Sequence, residues 1–273
     1  MKTVIAAVDF TRGSLNAARY AVDLASAINA EVLLVNVVQL PISVSEIPVS
    51  AHSWDQMIDE SEDELKKLRD ELAQRVNRKV KIDTKVPVGP VSYMLQQEAK
   101  ERNAFAVITG TDSATSLQHL FLENHALSAV HRFSVPVVVV PTEASFKEIR
   151  RIVLAADLGR TEKASSLQIL GEWINVFKAK LDIVDVVRKN QGDVTRVEGM
   201  VAIPKELRAF DPQLHLLYED TVKEGIDHYI EQRQPDLLVV MPGNYGFIGG
   251  LFHMSTSKQL IRHPVVPVLS ILD

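Results

Sequence analysis

Short unbroken apolar runs alternate along this chain with longer stretches in which apolar residues recur at helical spacing. Val4–Val8, Val32–Val38, Phe105–Thr109 and Val137–Val140 are runs of the first kind. They have the pattern of strands buried on both faces of a parallel sheet covered by helices. Between the first two, Ser14–Asn29 places Leu15, Ala18, Val22, Ala25 and Ile28 on one stripe, which predicts an amphipathic helix. Ser53–Asn77 repeats this with Trp54, Ile58, Leu65, Leu68, Leu72 and Val76, while its other side carries Glu62, Asp63, Lys66, Lys67, Arg69 and Asp70. Those charges predict a solvated face with ion pairs one turn apart. Val80–Val86 alternates apolar and polar residues, as a less buried strand at a sheet edge would.

The pattern then repeats. Thr3–Asp9 and Arg151–Asp157 are both apolar runs closing on aspartate, and Ala30–Val37 is matched by Ala179–Val186. Phe105–Gly110 is matched by Leu237–Gly243, and both halves end on a Val-Pro strand, Val135–Val140 and Val266–Leu269. Four landmarks in the same order indicate a duplication. The low periodicity of Thr142–Ile149 places the seam between residues 1–144 and 145–273. Each half alternates strand and helix five strands deep, which predicts two tandem doubly wound α/β domains, each with a five-stranded parallel sheet. The second half departs in its middle. Gly192, Gly199, Pro204 and Pro212 leave room there only for a short helix around Lys205–Phe210.

Composition agrees with this reading and removes several classes of function. A length of 273 residues suits two domains at ~100–200 residues each. With 46% hydrophobic and 24% charged residues the chain is globular rather than disordered. A net charge of −5 without any Lys/Arg-rich run speaks against nucleic acid as a partner. The absence of cysteine excludes disulfides, thiolate nucleophiles and cysteine zinc sites. No apolar stretch approaches the ~20 residues of a membrane span, and no leader pattern precedes Val4, so a cytosolic protein without membrane partners is expected. His119, His125 and His131 scatter around a helix rather than sharing a face, and no metal site is expected. Neither a His-Glu-x-x-His motif nor a recognisable Ser, His and Asp constellation occurs, so catalytic residues are not expected and the chain reads as a non-enzyme.

The strand-end aspartates and the glycine loop after the fourth strand carry a family resemblance. Each half is similar to a universal stress protein domain, and the chain resembles a tandem member of that family. The family's fold is Rossmann-like, of the adenine nucleotide alpha hydrolase type. Its nucleotide loop reads Gly, two residues, Gly, nine residues, then Gly-Ser or Gly-Thr. Here Gly243-Asn244-Tyr245-Gly246 keeps the first part, and Thr256-Ser257 stands where the Gly-Ser pair belongs. In the first half, Gly110-Thr111-Asp112-Ser113 loses the second glycine and Glu123-Asn124 replaces the pair, although Val88-Gly89-Pro90 matches the family's turn after the third strand. The chemistry is general: glycine lets backbone N–H groups approach phosphate, and a following helix adds its N-terminal donors.

The resemblance therefore implies ATP or another adenine nucleotide, with or without magnesium, at the second half. Its contacts would be Asp157, Val186, Gly243, Gly246 and Ser257, with Asp9 and Gly110 as their first-half equivalents. For Asp9 and Asp157, capping of the following helix is an equally simple role. Two functions remain open: a nucleotide-binding stress sensor that signals to a protein partner, and an interaction or scaffold protein without nucleotide. The resemblance also implies an intramolecular pseudo-dimer in which the two closing strands lie side by side, and it leaves a homodimer open.

Overall fold

The computed structural model describes residues 1–39, 51–76, 79–111, 135–158, 163–188, 203–241 and 264–271. By compactness the chain divides into Met1–Val135 and Pro136–Asp273.

The first unit contains β1 (Thr3–Ala7), α1 (Arg12–Ala27), β2 (Glu31–Val35), α2 (Ala51–Arg75), β3 (Ile82–Lys85), α3 (Val91–Glu101) and β4 (Ala106–Gly110). Its strands lie in the order β3-β2-β1-β4, and the three pairings are all parallel. β1 is central, and Val4, Ile5 and Ala6 are fully buried, as its unbroken apolar run requires. β3 lies at the edge, as its alternation predicts. Lys81, Asp83 and Lys85 line this short strand, with Lys81 and Arg102 pairing to Asp83 and Lys85 to the buried Glu98.

Small residues set the distance between α1 and the sheet. Ala17, Ala18, Ala21 and Ala25 are buried on its inner side. The helix starts two residues before the expected Ser14 because Thr11 is its cap. It stops where Asn29 takes a left-handed conformation (φ 53°) and Ala30 N–H donates to the Ala25 carbonyl at 2.8 Å. Asn103 and Ala104 close α3 in the same way. On α2, Leu65, Leu68 and Leu72 are buried, and the outer face carries the expected ion pairs, Lys66 with Glu62 and Asp63 at 3.3 Å each. Arg75 adds a bond of 2.8 Å to Asp23 of α1.

The second unit contains β5 (Val137–Val140), β6 (Arg151–Ala156), α4 (Ala164–Phe177), β7 (Lys180–Arg188), a 3-10 turn (Arg208–Phe210), β8 (Gln213–Glu219), α5 (Val222–Arg233), β9 (Leu237–Val240) and β10 (Val268–Ser270). Five of its strands form a parallel sheet in the order β8-β7-β6-β9-β10, the same winding as the first unit. β5, the closing strand of the first sequence repeat, pairs antiparallel with β10, matching Val139 to Val268 and Val137 to Ser270. The two closing strands are thus neighbours, and all four valines of β5 are fully buried. Trp173 packs in the core with 1% exposure and lies against Phe177, whereas Trp54 of α2 is half-buried. The expected short helix around Lys205–Phe210 is a turn followed by a single 3-10 turn.

A polar network crosses the N-terminal half of this sheet. Asp182 of β7 is 1% exposed and accepts from Arg151 Nη1 of β6 at 2.7 Å and from the Tyr229 hydroxyl of α5 at 2.8 Å. His215 of β8 tilts against the Tyr229 ring at 5.0 Å. Burial lowers the His215 pKa from 6.5, Asp182 opposes that shift, and Arg233 and Arg151 reinforce it. The unfolded chain therefore binds more protons than the folded one in the window below 6.5, and stability rises with pH through that window. Urea unfolding of the wild type should lose stability from pH 7 to pH 5 more steeply than His215→Gln, which cannot titrate there. Parallel pH profiles would refute this role for His215.

Candidate functional site

Open α/β sheets bind ligands outside the strand C-termini, where the chain leaves one strand toward one side and returns on the other. In the first unit that switch point lies between β1 and β4, paired from Val4 with Ala106 to Ala6 with Ile108. In the second it lies between β6 and β9, paired from Ile152 with Leu237 to Ala155 with Val240. Asp157 follows β6 directly, Asp9 stands two residues beyond β1, and Gly110 ends β4, so each stands at its unit's switch point.

The first of these corners is closed by its own hydrogen bonds. Thr11 N–H and Thr11 Oγ1–H both donate to Asp9 Oδ1, at 3.1 and 2.6 Å. Ser14 N–H donates to Thr11 Oγ1 at 3.3 Å, which makes Thr11 the N-cap of α1. Asp9 N–H donates to Ser14 Oγ at 3.2 Å. Asp9 is therefore not the helix cap but the group that orients the cap. The chain turns this corner at Phe10 in a left-handed conformation (φ 61°), which is uncommon for a bulky residue. Asn36, beyond β2, donates to the Val8 carbonyl at 2.8 Å and ties the neighbouring strand end to the corner. Gly110 presses on the start of α1, where a Cβ would lie 2.3 Å from both the carbonyl carbon and the oxygen of Gly13. The glycine-proline turn after β3 is present: Gly89 has φ 150° and donates to the Val38 carbonyl at 3.0 Å, and Pro90 stands at the N-cap of α3.

The second corner is built differently. The α4 cap is Lys163, with no side-chain cap bond, so Asp157 does not cap that helix. Asp185, the counterpart of Asn36, is 1% exposed and its Oδ2 accepts from Leu158 N–H at 3.3 Å. An acceptor thus replaces a donor at the matching position. Val186 is buried and its side chain meets α5, with both γ-carbons 2.8 Å from where a Cβ on Gly225 would stand. Gly243, Gly246 and Ser257 lie outside the described residues, as do Ser113, Glu123, Asn124, His119, His125, His131, His253 and Thr256. Asp185 is the residue that sequence reasoning missed. Its signal was a carboxylate inside an apolar strand, at a position held by asparagine in the first repeat. Among the described residues, no group of three or more His, Asp or Glu is placed to hold a metal ion.

A family model described as the universal stress protein family matches residues 1–141. The chain belongs to the universal stress protein family. Solved structures extend the likeness over its full length. A universal stress protein from Archaeoglobus fulgidus DSM 4304 is 18% identical with a TM-score of 0.68, over 99% of this chain and 98% of that one. One described as a putative universal stress protein from Pseudomonas aeruginosa UCBPP-PA14 is 12% identical with a TM-score of 0.59, over 100% and 93%. A functionally unknown protein from Pseudomonas aeruginosa PAO1 is 14% identical with a TM-score of 0.57, over 100% and 92%. A comparison with curated proteins finds no match. At these identities the structures speak for the fold. Among the described residues, no helix of this universal stress protein is long and apolar enough to cross a membrane.

Proposed function

We propose that this universal stress protein binds an adenine nucleotide at the switch point of its second repeat, and that the bound state signals to a protein partner in a stress response. The repeats are taken as residues 1–144 and 145–273. The observation that supports the reading is the position of Asp157, directly beyond β6 and across from the end of β9, with Val186 on the adjoining strand. In this arrangement Asp157 accepts from ribose or from the adenine amino group. The loop Gly243–Gly246 and Ser257 supply backbone and hydroxyl donors to phosphate, with magnesium where a triphosphate requires it. Binding at the first repeat is disfavoured, because Asp9 Oδ1 is already engaged by Thr11 and Asp112 and Glu123 would face phosphate.

A second reading has its own support. Asp185 adds a buried carboxylate at the same end of the second sheet as Asp157, and Thr256 replaces a family glycine. Both features count against phosphate at this corner and suit an interaction or scaffold module without nucleotide, acting through a protein partner. Neither reading requires catalysis.

Calorimetric titration of ATP into the full chain at one fixed magnesium concentration separates the two. On the nucleotide reading the wild type binds, Asp157→Ala weakens binding by about tenfold, equivalent to ~1.4 kcal/mol, Gly246→Val abolishes it and Ser113→Ala leaves it unchanged. A wild type that takes up no ATP moves the assignment to the interaction module.

A further inference from the structure

The two sheets differ at their outer strands. β3 is four residues long, and Lys81, Asp83 and Lys85 line it, a guarded edge of the kind that blocks strand addition. β8 runs for seven residues, Gln213-Leu214-His215-Leu216-Leu217-Tyr218-Glu219, with no lysine, arginine or proline along it. Among the described residues it pairs with β7 and with no other strand. His215 and Glu219 face α5, through the Tyr229 ring and through His228 at 3.6 Å. By the two-residue period of a strand, Leu214, Leu216 and Tyr218 face the other way. Tyr218 is 53% exposed, and Leu214 and Leu216 are half-buried. On the first sheet α2 packs on β3, and the crossover that holds it spans residues 36–81. The crossover before β8 is shorter, spanning residues 189–212.

We propose that two copies of this chain join through β8, antiparallel about a two-fold axis at Leu216. The occupant is a second copy because the strand is complementary to itself in that register. Leu216 meets Leu216, and Leu214 meets Tyr218 as an aliphatic–aromatic cross-strand pair. His215 meets Leu217, and each Glu219 carboxylate meets the Gln213 amide, which can donate to it. No two like charges stand opposite each other along the strand. Such an isologous contact satisfies the outer N–H and C=O groups of both strands at once and extends each parallel sheet across the axis.

The chain has no cysteine, so single-cysteine variants of the full-length protein report the register directly. Opposed residues of an antiparallel pair lie about 4.5–5.5 Å apart at Cα, within disulfide reach. Under mild oxidation Leu216→Cys should cross-link to itself. Tyr218→Cys should not, because its symmetry mate lies four residues along the strand, roughly 13 Å away. Sedimentation over a concentration series should show a wild-type dimer, and Tyr218→Lys should weaken it at least tenfold with unchanged circular dichroism. A monomeric wild type overturns the proposal. So does equal cross-linking of the two cysteine variants, or a dimer that persists in folded Tyr218→Lys.

Discussion

Gly110→Ala is expected to lower the unfolding free energy of this protein by about 3 kcal/mol or more, the upper end for an inserted methyl group. The new Cβ would stand 2.3 Å from the carbonyl carbon and oxygen of Gly13 and 2.8 Å from Ser14 N. Those are backbone atoms of the first turn of α1, and no rotamer change can move them. Retreat of the helix would break the bonds from Thr11 to Asp9 and from Ser14 to Thr11, and would lift the alanine stripe off the sheet. Gly171→Ala provides the contrast. Its Cβ would meet the half-buried Phe210 ring at 3.2 Å, and that ring can shift. The gain of up to ~1 kcal/mol in helix propensity offsets much of the contact there. Urea titrations with equal slopes would compare the two variants. A Gly110→Ala protein within about 0.5 kcal/mol of wild type would mean that the first turn of α1 is free to move.

Much of this architecture is legible in the sequence, because local pattern and buried position coincide. A run such as Val4–Val8 can be satisfied only between two covered faces, and Val80–Val86 alternates because β3 has one face and one edge open. The burial of Val137–Val140 is likewise legible, since the run is too apolar to stay exposed, whereas its pairing with β10 was implied by the family resemblance and not by the run itself. Helix starts were less accessible. The apolar stripe of α1 begins after Ser14, but the helix begins at the cap, and Thr11 becomes the cap through a carboxylate two residues before it.

The candidate site divides in the same way. Asp9 and Asp157 stand out because an aspartate ending an apolar strand is conspicuous, and the strand order puts both at switch points. Whether such a residue caps a helix, orients a cap or faces a ligand depends on one or two hydrogen bonds that no periodicity encodes. Asp185 escaped notice because its meaning rests on a partner 27 residues earlier, Leu158 N–H. Val186 is apolar whichever way it points, and its contact with Gly225 is a property of packing. Asp182 is a stronger case, since its two partners come from other elements, 31 and 47 positions away.

Removal of one of those partners should have the second large effect. Arg151→Ala leaves a carboxylate of 1% exposure with only the Tyr229 hydroxyl of the two, and breaking a buried pair from one side costs about 3–5 kcal/mol. Because the Arg151 side chain is itself 31% exposed, water can partly replace it, and about 3 kcal/mol is the expected loss at neutral pH. Tyr229→Phe removes one hydrogen bond to a charged acceptor and should cost about 1.5–3 kcal/mol. The Tyr229 pKa is raised by burial and then by its bond to Asp182, so the hydroxyl stays a donor throughout the neutral range. Both groups serve one carboxylate, so the double variant should depart from the sum of the singles by 0.5 kcal/mol or more. The triple change Asp182→Leu, Arg151→Met and Tyr229→Phe removes the buried charge with its partners, and should recover most of the stability lost in Arg151→Ala. A triple variant no more stable than Arg151→Ala would show that the network contributes through packing geometry rather than through compensation of the Asp182 charge.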